Sequence, residues 1–327
     1  MSNNVLHLNS ELFSPDIKQV PTRNGYGDAL VEAAQTNPAI VVLTADLAES
    51  TRVLEFAKKY PDRFFECGVA EQNMAGIAAG LALSGKIPFV SSYAVFSPGR
   101  SWDQVRVSTC INNANVKIAG AHAGISVGPD GATHQALEDI AIMRVLPNMI
   151  VVVPCDYEET RKATHASIAH SGPVYLRFAR EKTPVITTTK TPFHVGKAEL
   201  FRKGKDVSII ACGPLVYQSL VAAQELAHQG IDCEVINNHT IKPLDEKTLV
   251  TSVQKTRCAV TVEEHQIMAG AGSAVCELFC KKYPIPVEMV GMHDHYGESG
   301  APTELLEKYG MSVKAIKLAV QKALKRK

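Results

Sequence analysis

The sequence predicts an α/β protein of two domains, each a mostly parallel sheet flanked by helices. Short β-rich runs alternate with helix-period segments along most of the chain, as consecutive βαβ units require. The runs are apolar throughout instead of alternating, which is the pattern of strands covered on both faces. The alternation breaks at Thr183-Pro-Val-Ile-Thr-Thr-Thr-Lys-Thr-Pro192, where prolines and threonines leave no periodicity.

Taken in order, strands are expected at Ala39 to Leu43, Ile87 to Ser92, Val116 to Ala121, Met149 to Val153 and Val174 to Phe178. Helical spacing of apolar residues falls between them, at Tyr26 to Gln35, Gln72 to Leu83, Trp102 to Ile111, Leu137 to Arg144 and Tyr157 to Ala169. After the break the pattern restarts with strands at Val207 to Ala211, Cys233 to Ile236, Ala259 to Val262 and Val287 to Val290. The helices of this part are expected near Leu215 to His228, Leu244 to Lys255, Gly272 to Lys282 and Val313 to Leu324. The expected division is an N-terminal extension over 1–19, a first domain over 20–185, a linker over 186–195 and a smaller second domain over 196–327.

The 327 residues, 46% hydrophobic and 20% charged, suffice for two cores of roughly 150 residues each without staples. Lys and Arg total 34 against 33 for Asp and Glu, so no global field draws the chain to nucleic acid or an anionic membrane. The 8 cysteines form no CxxC pair, and several lie in apolar runs such as Ile209-Ile210-Ala211-Cys212; this reads as reduced, buried thiols in a cytoplasmic protein. No stretch reaches the roughly eighteen apolar residues of a membrane span, and no basic-then-apolar leader opens the chain.

The informative stretch is Glu66-Cys-Gly-Val-Ala-Glu71-Gln-Asn-Met-Ala-Gly76-Ile-Ala-Ala-Gly80, a polar segment giving way to a small-residue helix with a carboxylate in its first turn. Alone, such a glutamate is ordinarily a solvated cap near the positive end of the helix dipole. Gly76 and Gly80, four apart, are explained by close helix packing, since the flanks are too polar for a membrane dimer motif. Downstream lie Tyr93-Ala-Val-Phe96, a turn at Ser97-Pro98-Gly99, Trp102-Asp-Gln-Val-Arg106, and His122-Ala-Gly-Ile-Ser-Val-Gly-Pro-Asp130-Gly-Ala-Thr-His134-Gln. His293-Asp294-His295 lacks the further ligands that a metal site would need.

In order and content these segments resemble the pyrimidine-binding domain of the transketolase family, with its glutamate motif, aromatic segment and glycine-rich His-Gln segment. The likeness is strong over residues 20 to 185. It continues more loosely through Glu263-Glu-His265 and His295-Tyr-Gly-Glu-Ser-Gly300, as in the family's C-terminal domain.

The resemblance implies thiamine diphosphate as coenzyme, transfer of a two-carbon ketol unit from a phosphorylated ketose to an aldose phosphate, and a role for each matched residue. Glu71 would hydrogen-bond N1′ of the aminopyrimidine and share a proton with it, which calls for a protonatable acid in a dry pocket. Tyr93 and Phe96 would stack against that ring. Many family members carry a further aromatic where this chain has Pro98-Gly99-Arg100, which leaves the third wall of the pocket open. His134 would lie near the donor hydroxyls and Asp130 would read a sugar hydroxyl. Arg23, Ser50, His122 and Arg180 match positions that grip the substrate phosphate, a task suited to guanidinium forks with hydroxyl and imidazole donors. The family's Gly-Pro-Thr-His is Gly131-Ala132-Thr133-His134 here, so the stiffness of that loop is expected to differ.

Full-length transketolases hold Mg²⁺ and the diphosphate on Gly-Asp-Gly followed further along by Asn-Asn. The nearest strings here are Gly27-Asp28-Ala29 and Pro129-Asp130-Gly131, neither followed by suitably placed asparagines. The resemblance therefore implies a partner subunit that supplies the Mg²⁺ ligands, in an α2β2 heterotetramer with the coenzyme between subunits. Three other readings share the fold: the β subunit of a 2-oxo-acid dehydrogenase, a deoxyxylulose-phosphate synthase, and a noncatalytic regulatory subunit. The phosphate-gripping set argues against the first, the single-chain organisation of the second against it, and the retained Glu71, Tyr93, Phe96 and His134 against the third.

Overall fold

The computed structural model describes residues 5–327. The first domain runs β1 (Gln19–Pro21), α1 (Thr22–Ala34), β2 (Ile40–Thr44), α2 (Leu54–Lys59), β3 (Phe64–Glu66), α3 (Glu71–Leu83), β4 (Ile87–Tyr93), α4 (Trp102–Gln104), β5 (Lys117–Ala121), α5 (Asp139–Arg144), β6 (Ile150–Val152), α6 (Tyr157–Ala169), β7 (Val174–Arg177) and β8 (Lys182–Pro184). The second runs β9 (Glu199–Arg202), β10 (Val207–Ala211), α7 (Leu215–Ala227), β11 (Cys233–Asn237), β12 (Thr240–Lys242), α8 (Glu246–Thr256), β13 (Ala259–Gln266), α9 (Ala271–Lys282), β14 (Val287–Met292), α10 (Pro302–Lys308) and α11 (Val313–Lys325).

The first sheet has the order β12-β6-β7-β5-β4-β2-β3, parallel except for β12. Its central strands are buried along their whole length, which is why they read as unbroken apolar runs. One face carries Tyr26 and Leu30 of α1 with Phe56 of α2; the other carries Met74 and Ala78 of α3 with Val105 and Cys110. The second sheet, β14-β13-β10-β11-β9, is parallel apart from β9. It packs α7 and α11 on one face and α8 and α9 on the other.

Several features depart from the sequence expectation. β12 comes from beyond the expected linker yet closes the first sheet against β6, so the second stretch of chain is not confined to its own domain. The segment before β1 is no free extension: Leu12 and Ile17 are buried in the second domain's core, and Val5 bridges Arg202. The helix expected from Trp102 to Ile111 is one α-turn that widens into a π-helix over Val105–Cys110, its end capped by the Asn112 amide on the carbonyls of Val107 and Ser108. A Cβ at Gly76 or Gly80 would meet nothing within 4 Å among the described residues, so packing among these residues does not explain those glycines. Of the cysteines, Cys110, Cys155, Cys212, Cys233 and Cys258 are buried, whereas Cys67 and Cys276 are half-buried and Cys280 is exposed.

Buried polar ties join the domains. Arg177, at the end of β7, donates through Nε to Asp139 (2.8 Å) and through Nη2 to the Glu264 carbonyl of β13 (2.7 Å). Burial opposes the Asp139 charge, but the Arg177 guanidinium outweighs it and holds the carboxyl below its usual value. Glu159 accepts from Asn237 of β11 (2.7 Å) and from the Cys155 N–H (2.7 Å).

Burial, then the nearby Asp156 charge, pushes Glu159 up to about 8 from 4.5. Across that window the unfolded chain releases a proton that the fold retains. The stabilising contribution is therefore whole below the unfolded value and lost as pH rises toward the folded one. Thermal melts should show a midpoint falling as pH rises through this range, and Glu159→Gln, which keeps the shape without the proton, should flatten that fall. An unchanged slope would place its origin elsewhere.

Candidate active site

The expected site residues converge at the C-terminal edge of the first sheet, where parallel α/β sheets bind ligands. Ser50 follows β2, Tyr93 ends β4, His122 follows β5 and Arg180 follows β7. These are neighbouring strands in the order β7-β5-β4-β2, so one edge of the sheet collects residues far apart in sequence. Glu71 opens α3 beside them.

Glu71 is no solvated cap. It is 1% exposed, at a helix N-terminus whose dipole favours negative charge. The Arg100 Nη1–H donates to its Oε2 at 2.7 Å, the one side-chain hydrogen bond to this carboxylate among the described residues. Arg100 is itself half-exposed, and its guanidinium lies over the Phe96 ring, 4.7 Å from the centroid. This arginine follows Pro98-Gly99 and was not among the residues the sequence singled out; only its place in the turn that replaces the expected aromatic could have marked it.

Tyr93 and Phe96 lie nearly parallel, 15° apart with centroids at 5.9 Å. His122 stacks on Tyr93 at 3.8 Å, and His134 meets Phe96 edge-on at 5.3 Å. The aromatic segment and the glycine-rich segment therefore form one wall. Tyr93 and Phe96 are each partly exposed.

Beside this wall is a cluster of cationic groups. The Arg23 Nη1–H donates to the Ser50 carbonyl at 2.8 Å and faces His122 Nε2 at 3.3 Å. Because Nε2 receives from the guanidinium, the imidazole proton sits on Nδ1. Nδ1 of His122 and Nε of Arg23 are both buried without a partner among the described residues, donors with nothing there to donate to. Burial foremost, with the charges of Arg23 and Arg180, then His134 and Arg52, pushes His122 down to about 3. Arg23 is lowered by burial and by Arg52 and Arg180. A dianion placed there would answer both the repulsion and the idle donors.

Arg52 was likewise missed by the sequence reading. It belongs to this cluster by its charge, its Nε–H donates to Asn24 at 3.0 Å, and its φ of 66° is unusual for a residue with a side chain. His122 too has positive φ, 54°, a strained backbone of the kind stored at functional sites. Arg180 donates to the Val127 carbonyl (2.9 Å) and Glu181 (3.2 Å). His134 contacts the Thr133 hydroxyl. The Asp130 side chain is exposed and makes no hydrogen bond or ion pair among the described residues.

The second domain props this segment. A Cβ on Gly124, where φ is 92°, would fall 2.2 Å from Glu264 Oε2, and that carboxylate accepts the Ser126 N–H at 3.1 Å. The Gln135 amide donates to the Glu298 carbonyl at 3.0 Å, which explains why the Glu263-Glu-His265 and His295-to-Gly300 stretches accompany the site. Among the described residues no group of three His, Cys, Asp or Glu side chains could hold a metal ion, at His293-Asp294-His295 or elsewhere. No helix among them is long and apolar enough to cross a membrane.

Comparison with known proteins agrees with this fold. Residues 18–185 match the family model described as transketolase, pyrimidine binding domain, and residues 196–316 match that of the transketolase C-terminal domain. A 6-deoxy-6-sulfo-D-fructose transketolase subunit of Clostridium sp. is 43% identical over 305 residues, covering 93% of this chain and 95% of its own. An apulose-4-phosphate transketolase subunit of Phocaeicola vulgatus is 38% identical over 298 residues, covering 91% and 95%. A solved structure described as a split gene transketolase, inactive beta4 tetramer, superposes with a TM-score of 0.87 at 46% identity, over 95% of this chain and 100% of that one. With both halves of the chain matched and the shared fold carrying a buried glutamate beside an aromatic wall, this protein belongs to the transketolase family.

Proposed function

We propose that this chain is the ring-gripping subunit of a split, thiamine-diphosphate-dependent transketolase, moving a two-carbon ketol unit from a ketose with a terminal anionic group to an aldose phosphate. The observation that carries this reading is the meeting, at one edge of the sheet, of a buried carboxylate, two near-parallel aromatics and a cationic cluster with idle donors.

The residues present fit the coenzyme's aminopyrimidine. A flat heteroaromatic ring finds stacking surface on Tyr93 and Phe96 and a hydrogen-bonding carboxylate in Glu71. When bound, thiamine diphosphate supplies a nucleophilic carbon able to carry the ketol unit between donor and acceptor. Glu71 holds and returns a proton at the ring nitrogen, a task its dry position makes selective. His134, edge-on to Phe96, offers a ring nitrogen to donor hydroxyls, and Asp130 reads a hydroxyl. Arg23, His122 and Arg180, with Ser50 anchoring Arg23, bind the terminal anion and fix the sugar's reach.

The Mg²⁺ and diphosphate ligands are assigned to a partner subunit, in a heterotetramer with two copies of each chain. The names of the relatives, subunits of sulfosugar and apulose-4-phosphate transketolases, support this reading, as does the inactivity of the split-gene relative when it forms a tetramer of β chains. So does an open face around α3, where Val69, Ile77, Leu83, Val107 and Ile111 are exposed apolar side chains next to the two uncovered glycines. Gly76→Arg should leave the isolated chain's melting temperature at or above that of wild type, because no neighbour among the described residues is met and helix propensity rises. The same change should abolish assembly in native mass spectrometry of the mixed subunits. Assembly at wild-type strength would remove that face from the interface.

The direct test is to assay the chain alone and with a candidate partner on phosphorylated ketoses, sulfonated ketoses and pyruvate. Ketol transfer from an anionic ketose only in the mixture is the expected result. Full activity of the chain alone, or turnover of pyruvate in preference to every sugar, would overturn the proposal.

A further inference from the structure

Arg100 takes no part in the scheme above, yet it makes the one side-chain hydrogen bond, among the described residues, to the carboxylate on which that scheme turns. Its guanidinium is held from two sides, by Glu71 Oε2 at 2.7 Å and by the Phe96 ring beneath it at 4.7 Å. The preceding Ser97-Pro98-Gly99 turn sets it there: the Arg100 N–H bonds the Phe96 carbonyl at 2.7 Å, and a Cβ at Gly99 would fall 2.1 Å from the Val95 carbonyl oxygen. The turn is thus too tight for any residue but glycine before the arginine.

With Oε2 engaged, the carboxylate has its second oxygen, Oε1, free of any side-chain partner among the described residues. A carboxylate can turn about its last torsion with little resistance; a guanidinium fixed by stacking removes that freedom. Resting on the proposed function, we infer that Arg100 is a positioning residue: it pins Glu71 Oε2, presents Oε1 to the ring nitrogen of the coenzyme, and forms the third wall of the ring pocket in place of an aromatic side chain. It acts through Glu71 and the stack and touches no reacting atom.

The test uses the assembled complex and two ligands, thiamine diphosphate and its analogue with carbon in place of N1′, titrated calorimetrically. Arg100→Met keeps the length and the apolar stem but removes the fork; Arg100 is half-exposed, so the variant should fold, which a melting curve checks. Arg100→Met is expected to bind thiamine diphosphate about tenfold more weakly, the scale of one charge-assisted hydrogen bond, while binding the carbon analogue as wild type does. Arg100→Lys, which restores the cation without the fork, should recover part of the loss.

Equal losses for both ligands would reduce Arg100 to a structural brace and overturn the inference. Tighter binding of thiamine diphosphate by Arg100→Met would also overturn it, showing a cover that the ring displaces. Failure of the wild-type complex to bind thiamine diphosphate at all would instead sink the reading on which the inference rests, a result the variants cannot imitate.

Discussion

Glu71→Gln, assayed in the assembled complex, should lower turnover by about a thousandfold while leaving assembly intact. The glutamine keeps the volume and one hydrogen bond, so the buried first turn of α3 stays packed and the expected loss is chemical. An amide can accept from a ring nitrogen or donate to it but cannot exchange the proton, and general acid–base groups contribute about a hundred- to ten-thousandfold. Single-turnover kinetics with coenzyme in excess would separate this from weak binding. Glu71→Ala should be no better and should also lower the melting temperature, because Arg100 would lose its partner. Wild-type turnover in Glu71→Gln would show that this carboxylate is structural and would favour a regulatory role for the chain.

Arg23→Met should raise KM for a phosphorylated ketose about a hundredfold, with a smaller fall in kcat. Arg23 is tied to the Ser50 carbonyl and to His122, and its Nε is buried with no partner among the described residues, so the side chain is already held in place for a ligand. Hydrogen bonds from a charged donor to a phosphate are among the stronger ones, and binding of a remote anion is realised in ground and transition states alike. The loss should therefore appear mostly in KM. It should also be specific: a ketose without the terminal anion, a poor substrate for wild type, should be used about equally by the variant. Equal impairment on charged and uncharged ketoses would mean that Arg23 supports the fold of the site and does not read the substrate.

Much of this was legible in the chain because buried parallel strands leave contiguous apolar runs. β2, β4, β5, β7, β10, β11 and β13 all appear where such runs stand. β1, β3, β8, β9 and β12 did not, since each is three or four residues broken by a polar, charged or proline residue, leaving no unbroken apolar run to read. The N-terminal segment reads as an extension because its anchoring residues, Leu12 and Ile17, are isolated in sequence and join a core cluster made mostly by the distant second domain. At the site, Glu71, Tyr93, Phe96, His122 and Arg23, singled out through the family resemblance, are linked by a chain of contacts that runs through Arg100. Arg52 and Arg100 carried no pattern of their own; what marks them is a neighbour across space, a charge beside Arg23 in one case and a buried carboxylate in the other. For Gly76 and Gly80 the same spacing fits a packed face or an open one, and the fold decides for the open one.

The strand that β12 lends to the first sheet bears on how such a chain can be divided and inherited. It covers the outer edge of β6, so a fragment ended anywhere between Pro184 and Ala198 would bare a row of main-chain donors and acceptors and recruit other strands to them. Gene fission or recombination between these domains would therefore yield sticky, short-lived pieces, and the pair is expected to be exchanged between genomes as one indivisible cassette.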